Sequence, residues 1–215
     1  MAASSPRVAV VDYGAGNLRS VSKALERSGF VADVTAAPEG IRAADCVVLP
    51  GVGAFADAMK RLEATGLGSA VREALDAGRP YLGLCLGLQV LFEESDEHGV
   101  TKGLGVLPGR VERFPEHDPE GRPLCVPHIG WNRVSFLGAH PMLEALPADD
   151  FYYFVHSYRA VPAHEDHIVG HSQYGGRFAA AVARENAFAV QFHPEKSQAA
   201  GKRLLDAFAG WVQSC

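Results

Sequence analysis

Cysteine is scarce in this sequence and long apolar runs are missing. The four cysteines, Cys46, Cys85, Cys125 and Cys215, form neither a C-x-x-C pair nor a zinc-ligand spacing. That excludes a disulfide framework and a structural zinc site, and leaves each thiol to be explained singly. Cys46, in Asp45-Cys-Val-Val-Leu49, reads as a core residue, and Cys215 as a frayed terminus. No run approaches the roughly 18 apolar residues that span a bilayer, and Met1–Pro6 lacks the apolar core of a signal peptide. A cytoplasmic protein is expected. Positive charge is also in deficit: 20 Lys and Arg against 25 Asp and Glu give a net charge of −5. This argues against a nucleic-acid-binding surface. Internal repeats, low-complexity tracts and linkers are absent too. At 215 residues, the chain is expected to form one domain spanning residues 7–213.

What is present is an alternation of short apolar runs and helical stripes. Arg7–Asp12 reads as a buried strand and Tyr13–Asn17 as a tight loop. Leu18, Val21, Ala24 and Leu25 form one face of a helix ended by Gly29. Strands are predicted over Phe30–Val34, Cys46–Leu49 and Tyr81–Leu84, helices around Phe55–Leu62 and Leu67–Leu75, and a further helix over Leu86–Glu94. Such β-α-β-α alternation predicts a parallel sheet with helices on both faces. After His98-Gly99 the pattern changes. Gly109–Phe114, Asn132–Phe136, Phe151–Tyr158, His167–Gln173, Phe178–Arg184 and Ala187–Phe192 read as short strands parted by turns. They are expected to be largely antiparallel and to extend the same sheet, with Ser197–Val212 as a closing helix. The predicted fold is α/β: a single domain with an open mixed sheet, parallel and helix-flanked in its N-terminal part, antiparallel in its C-terminal extension.

The most informative stretch is Gly83-Leu-Cys85-Leu-Gly87, which has the form of a nucleophile elbow between a strand and a helix. A sharp strand-to-helix turn crowds the backbone, which explains the glycines and exposes the central side chain at the sheet's C-terminal edge. The unpaired amides and dipole of the following helix stabilise a thiolate there. By itself the stretch fits a buried core cysteine equally well. A second signal is His193-Pro194-Glu195 after an apolar strand. Residues two apart on an extended stretch share a side, so Glu195 can orient the His193 imidazole; alone, the tripeptide fits a solvated turn. Third, Pro50-Gly51-Val52-Gly53 closes the third strand, where glycines let backbone amides face a developing oxyanion, with Leu86 N–H as second donor. An ordinary turn fits it as well.

Together these three motifs resemble those of class I glutamine amidotransferases, in the same order and at comparable separations. Within that family the longer stretches Asp12–Ser20, Pro50–Phe55, Ile129–Asn132, Tyr153–Arg159 and His193–Ser197 resemble the glutaminase subunits of imidazole glycerol phosphate synthases, which serve histidine biosynthesis. The resemblance runs from Val8 to the last helix. Val52 stands where many members of the wider family carry glycine, and the histidine-pathway branch is similar to this chain there.

The resemblance implies that Cys85 is the nucleophile, His193 the proton shuttle and Glu195 the orienting carboxylate. It implies an oxyanion hole from Gly51, Val52, Gly53 and Leu86. Glutamine is the implied substrate, bound by Gln89, Glu97 and groups near Ser157 and Tyr158. Glu93, Glu94 and Asp96 are as acidic as Glu97, and Gln89 read alone fits a surface polar residue. The ammonia would pass to a (β/α)8-barrel cyclase that makes imidazole glycerol phosphate and aminoimidazole carboxamide ribotide. A separate partner is expected also because the chain ends one helix after His193. Asn17, Trp131 and Lys196 are the implied positions of that heterodimer interface. Trp131 equally fits a core residue, and Lys196 a surface ion pair. The rivals are a glutaminase subunit of another ammonia-using synthase and a catalytically silent binding subunit. No cofactor or metal is expected. Tyr13–Asn17 fails the dinucleotide-binding pattern because Arg19 stands where glycine is needed. His164, His167 and His171 sit in an acidic loop-like segment without a ligand scaffold.

Overall fold

Residues 8–11, Cys46–Gly51 and Tyr81–Cys85 are buried along their whole length, and alternate residues pack on opposite faces of one sheet. The computed structural model describes residues 5–215, so Met1–Ser4 of the N-terminal stretch lie outside it. Strands β1 (Arg7–Val11), β2 (Val31–Thr35), β3 (Cys46–Gly51) and β4 (Tyr81–Cys85) pair in parallel in the order β2-β1-β3-β4. Val8, Val10, Cys46, Val48, Leu82 and Leu84 pack in one layer with α1 (Leu18–Arg27). Ala9, Val11, Val47, Leu49 and Tyr81 pack on the other with α2 (Pro38–Arg42), α3 (Phe55–Ala64) and α4 (Leu67–Asp76). Burial on both faces is what a parallel sheet requires. α2 falls between the strands expected at Phe30–Val34 and Cys46–Leu49; its Pro38 at the first turn and its five-residue length give little periodic signal.

The second half departs from expectation in three ways. The helix expected over Leu86–Glu94 is a single turn, α5 (Leu86–Gln89), followed by β5 (Phe92–Ser95). The cause is tertiary: the Val90 carbonyl accepts from Leu104 N, and the Leu91 carbonyl from Val106 N and Leu107 N, so the ladder turns outward. Nor do all later strands extend the one sheet. β6 (Thr101–Lys102) and β7 (Leu107–Arg113) join β5 in a separate four-stranded sheet, so the strand expected at Gly109–Phe114 belongs there. The strand expected over Phe151–Tyr158 is two. After β8 (His128–Phe136) and the short α6 (Pro141–Glu144), β9 (Asp149–His156) pairs with β8, the chain bends at Ser157, and β10 (Tyr158–Pro162) crosses to pair with β7. Only Ser157 itself, a weak turn former, marks that bend.

The remaining strands, β11 (Ile168–Gln173), β12 (Arg177–Arg184) and β13 (Ala187–Val190), complete a nine-stranded sheet, β2-β1-β3-β4-β13-β12-β11-β8-β9. β13 runs parallel to β4, and from β13 outward every pairing is antiparallel. The helix α7 (Gln198–Ser214) covers the α1 face through Leu204, Leu205, Phe208 and Trp211. Cys215, expected to fray, is held by its thiol to the Trp211 carbonyl at 3.4 Å. Among the described residues no helix is long and apolar enough to cross a membrane. The architecture is a single α/β domain with mixed sheets, and its parallel and antiparallel halves meet at the β4–β13 seam.

Candidate active site

Cys85 ends β4 at φ 53° and ψ −101°, a conformation that costs a non-glycine residue ~1–3 kcal/mol. The flanking glycines are required by close approach, not by their own dihedrals. A Cβ on Gly83 would meet the Gly87 backbone and Ala189, and one on Gly87 would strike the Leu49 carbonyl. Tyr81 fastens the turn from below by donating its hydroxyl to the Gly87 carbonyl at 2.8 Å. The elbow is therefore real, and Cys85 is buried at 6% exposure beneath a cavity mouth. Cys46 is the contrasting thiol: burial and the Asp45 charge push it up to about 12, an inert core cysteine.

His193 arrives on the extension of β13, the strand beside β4. Its backbone is stitched in place: the amide donates to the Tyr153 carbonyl, and the Ser197 hydroxyl donates to the His193 carbonyl at 2.6 Å while accepting from Tyr153 N. Nδ1 lies 2.8 Å from Glu195 Oε1, both side chains 4% exposed. Nε2 is buried without a hydrogen bond of ordinary length and faces the Cys85 thiol. Burial lowers the imidazole's proton affinity, but the Cys85 and Glu195 groups outweigh it and raise His193 to about 10. The site thus favours an imidazolium between a sulfur and a carboxylate.

A cavity of about 430 Å3 opens over this group. Its lining brings together Val52, Gly53, Cys85, Leu86, Gln89, Glu97, Ser157, Tyr158 and Lys196 from separate stretches of the chain, with Pro127, Val155 and His156. Gly51 lies behind it, paired with Cys85 across β3 and β4. The Tyr13 hydroxyl packs so closely on Gly51 that a Cβ there would overlap it, and the Val52 N–H is turned toward that buried hydroxyl. No hydrogen bond of ordinary geometry joins them, and Tyr13 Oη has no partner. Leu86 opens α5, so its amide has no intrahelical acceptor. Of the four acidic candidates Glu97 is the one at the cavity; its Oε2 accepts from Phe55 N at 2.6 Å, which ties it to the end of the Val52–Gly53 loop. Gln89 is buried, not a surface residue. Asn17 and Trp131 do not line the cavity. Asn17 is exposed and caps α1, and Trp131 is 48% exposed, packed edge-on against Tyr153. The Lys196 ammonium sits 5.9 Å above the Tyr153 ring and, among the described residues, makes no ion pair. A larger cleft of about 750 Å3, lined by Arg72, Asp76, Arg184 and Asn186, lies at the opposite, N-terminal ends of β4 and β13 and contains no nucleophile.

The family model for glutamine amidotransferase class-I matches residues 9–209.

The chain belongs to this family.

It is 53% identical over 209 residues to the imidazole glycerol phosphate synthase subunit HisH of Methylococcus capsulatus, covering 95% of this chain and 96% of that one. It is 49% identical to the protein of the same description from Aquifex aeolicus, covering 94% and 95%. Among solved structures, PurLQS from Thermotoga maritima superposes with a TM-score of 0.76 at 19% identity, covering 97% of this chain and 99% of that one. The glutaminase domain of CTPS from Trypanosoma brucei gives a TM-score of 0.69 at 17% identity, covering 97% and 94%. These two likenesses concern the amidotransferase fold.

Three side chains of this amidotransferase's site carry no motif of their own in the sequence. Gln191, two residues before His193, is fully buried with its Nε2 3.6 Å from Cys85 Sγ. His128 and His156 are buried and joined Nδ1 to Nε2 at 3.0 Å. The only signal for Gln191 is a polar residue inside an apolar strand next to a suspected catalytic histidine. His156 lies within one of the resembling stretches and His128 just before another, but their partnership depends on the β8–β9 register.

Proposed function

We propose that this amidotransferase is the glutaminase subunit of an imidazole glycerol phosphate synthase, hydrolysing glutamine through Cys85, His193 and Glu195 and delivering ammonia to a cyclase partner. The observation that carries the chemistry is the approach of His193, itself bonded to Glu195, to a thiol held on a strained elbow. Near-half identity over almost the whole chain to proteins described as HisH supports the pathway.

The Cys85 sulfur attacks the side-chain carbonyl carbon of glutamine. The oxyanion forms between the Leu86 amide and the loop Gly51-Val52-Gly53. His193 passes its proton to the departing nitrogen, ammonia leaves, and a thioester remains. The now neutral imidazole takes a proton from water, which attacks the thioester, and glutamate departs as Cys85 is regenerated. Glu195 keeps the Nδ1 proton in place throughout. At the amino-acid end, Glu97 offers a carboxylate to the substrate ammonium. Gln89 offers only its oxygen, since its nitrogen is committed to Tyr158 O and Gln191 Oε1. Ser157 and Tyr158 supply the backbone wall. The (β/α)8-barrel cyclase docks over the cavity mouth, meeting Asn17, Trp131 and Lys196, and combines ammonia with its own substrate to give imidazole glycerol phosphate and aminoimidazole carboxamide ribotide. Such a biosynthetic role belongs in the cytoplasm.

The test is copurification with a candidate cyclase and an assay of glutamate release. Cys85→Ala is expected to lower glutamine-dependent synthesis by about 10⁴-fold or more while the complex still assembles and still uses ammonium salts at raised pH. Glutamine turnover by Cys85→Ala would refute the assignment.

A further inference from the structure

The amide of Gln191 is committed at both ends. Oε1 accepts from Gln89 Nε2 at 3.1 Å, and Nε2 lies 3.6 Å from Cys85 Sγ as a donor. An amide can be turned by half a revolution without changing its shape, so its orientation has to follow from the network around it. This network has a fixed reference. The Tyr158 carbonyl can only accept, and it receives Gln89 Nε2 at 3.0 Å. Gln89 therefore presents nitrogen to this corner, and the second hydrogen of that nitrogen meets Gln191. Gln191 must answer with oxygen, which leaves its NH2 group for the sulfur.

The reference carbonyl is itself held. His156 Nδ1 lies 2.8 Å from Tyr158 O, His128 Nδ1 3.0 Å from His156 Nε2, and Asn132 Nδ2 3.2 Å from His128 Nε2. Neutral imidazoles satisfy this arrangement in one way: each Nδ1 carries the hydrogen and each Nε2 accepts. Burial keeps them neutral, lowering His128 to about 4 and His156 to about 3. A directed chain thus runs from Asn132 through His128 and His156 to the Tyr158 carbonyl, where it meets the one from Gln89.

We propose that Gln191 is a further catalytic residue of this amidotransferase: its Nε2–H donates to the Cys85 sulfur and stabilises the thiolate, while Gln89 and the Tyr158 carbonyl lock the amide in that orientation. The inference rests on Cys85 being the nucleophile. The need for it is physical. A buried thiolate loses the hydrogen bonds of water and requires replacements. The helix after the elbow is one turn long, so it brings little of the dipole that a full helix supplies. A fixed amide donor fills that deficit twice, when the thiolate attacks and when it leaves the thioester.

The experiment follows alkylation of Cys85 by iodoacetamide from about pH 5 to 10, a range wide enough to titrate a protein thiol. The full-length chain is used, and the Cys85 peptide is read by mass spectrometry so that Cys125 and Cys215 do not contribute. Gln191→Met keeps the volume and removes the donor; its half-point is expected about one pH unit above wild type. Gln89→Met frees the Gln191 amide to turn, and is expected to move the half-point the same way by less. Gln191→Glu keeps the shape and replaces the donor by an acceptor, which carries the test if the methionine variant does not fold; it too shifts upward. A Gln191 variant that is folded by circular dichroism and superimposes on wild type overturns the proposal. An unmoved Gln89→Met profile overturns the orienting lock. The underlying assignment fails by a different sign, continued glutamine hydrolysis by Cys85→Ala, so the two failures are distinguishable.

Discussion

The two halves of the nine-stranded sheet contribute to the site in different ways. The parallel half supplies backbone: the strained Cys85 elbow at the end of β4 and the Gly51–Gly53 loop at the end of β3, adjacent in register. The half that begins at β13 supplies side chains: His193 and Glu195 beyond β13, His128 on β8, and His156 with the Ser157 bend at the end of β9. A parallel sheet buried on both faces leaves only its strand ends open, so chemistry there has to be built from turns. The antiparallel half carries residues across long register distances and can place side chains against those turns. Neither half is a site alone. Their seam, β4 beside β13, is where a thiol on a fixed backbone meets a base on a fixed hydrogen-bond network.

The comparison breaks most sharply at the base. His193→Asn is expected to cost nearly as much glutamine turnover as loss of Cys85, about 10⁴-fold, because members of such a unit fail together. Glu195→Gln, which only orients the imidazole and stabilises its charge, is expected to be milder than His193→Asn by a factor of about 10–100. Equal losses from the two, with circular dichroism unchanged, would contradict these roles. On the backbone side, Val52 sharpens the contrast. The Val52 amide faces the buried Tyr13 hydroxyl, and turning it to the cavity would drive a β-branched residue toward positive φ. Val52→Gly is therefore expected to raise glutamate production by the isolated chain about tenfold and to lessen its dependence on the cyclase. Isolated wild type running near its fully stimulated rate would sink this account.

Stability against pH separates two groups of side chains within the half that begins at β13. His128 and His156 have native values of about 4 and 3, below the ordinary 6.5, so the unfolded chain binds protons that the native chain refuses. Stability is expected to fall as pH drops from 6.5 toward 4. His193, raised to about 10, acts oppositely, with stability lost as pH rises from 6.5 through 10. Denaturant midpoints measured across pH should show the acid limb flattened in His128→Gln and the alkaline limb untouched. The smallest effect is at the rim. Lys196→Ala removes the cation over Tyr153 and should weaken cyclase binding by a few-fold in calorimetric titration. Unchanged affinity together with unchanged stimulation would remove Lys196 from the interface.

Much of the parallel half was legible along the chain. Residues 7–85 announce their strands as short apolar runs, and Gly83 and Gly87 are local necessities of one turn, visible as a motif. His193 and Glu195 are two apart on one extended segment, so their pairing is also a local fact. The single-turn α5 was not legible, because residues 104–107 capture the carbonyls that would have continued the helix. The bend at Ser157 was nearly silent: Tyr152 and Phe154 alternate inward on the large sheet and Ala160 packs inward beyond the bend, so an apolar pattern runs through both strands.

The sequence alone determined the parallel-sheet half, the elbow around Cys85, the His193–Glu195 pair and the resemblance that named their chemistry. Tertiary structure decided which acid reaches the cavity, that Gln89 and Gln191 share one hydrogen-bond network with the sulfur, and that His128 and His156 fix the carbonyl anchoring it. The physical reason is separation. Period, turn chemistry and motif report on residues within a few positions of each other. Gln89 and Gln191, by contrast, lie 102 positions apart, and only the packing of β13 beside β4 brings them into contact.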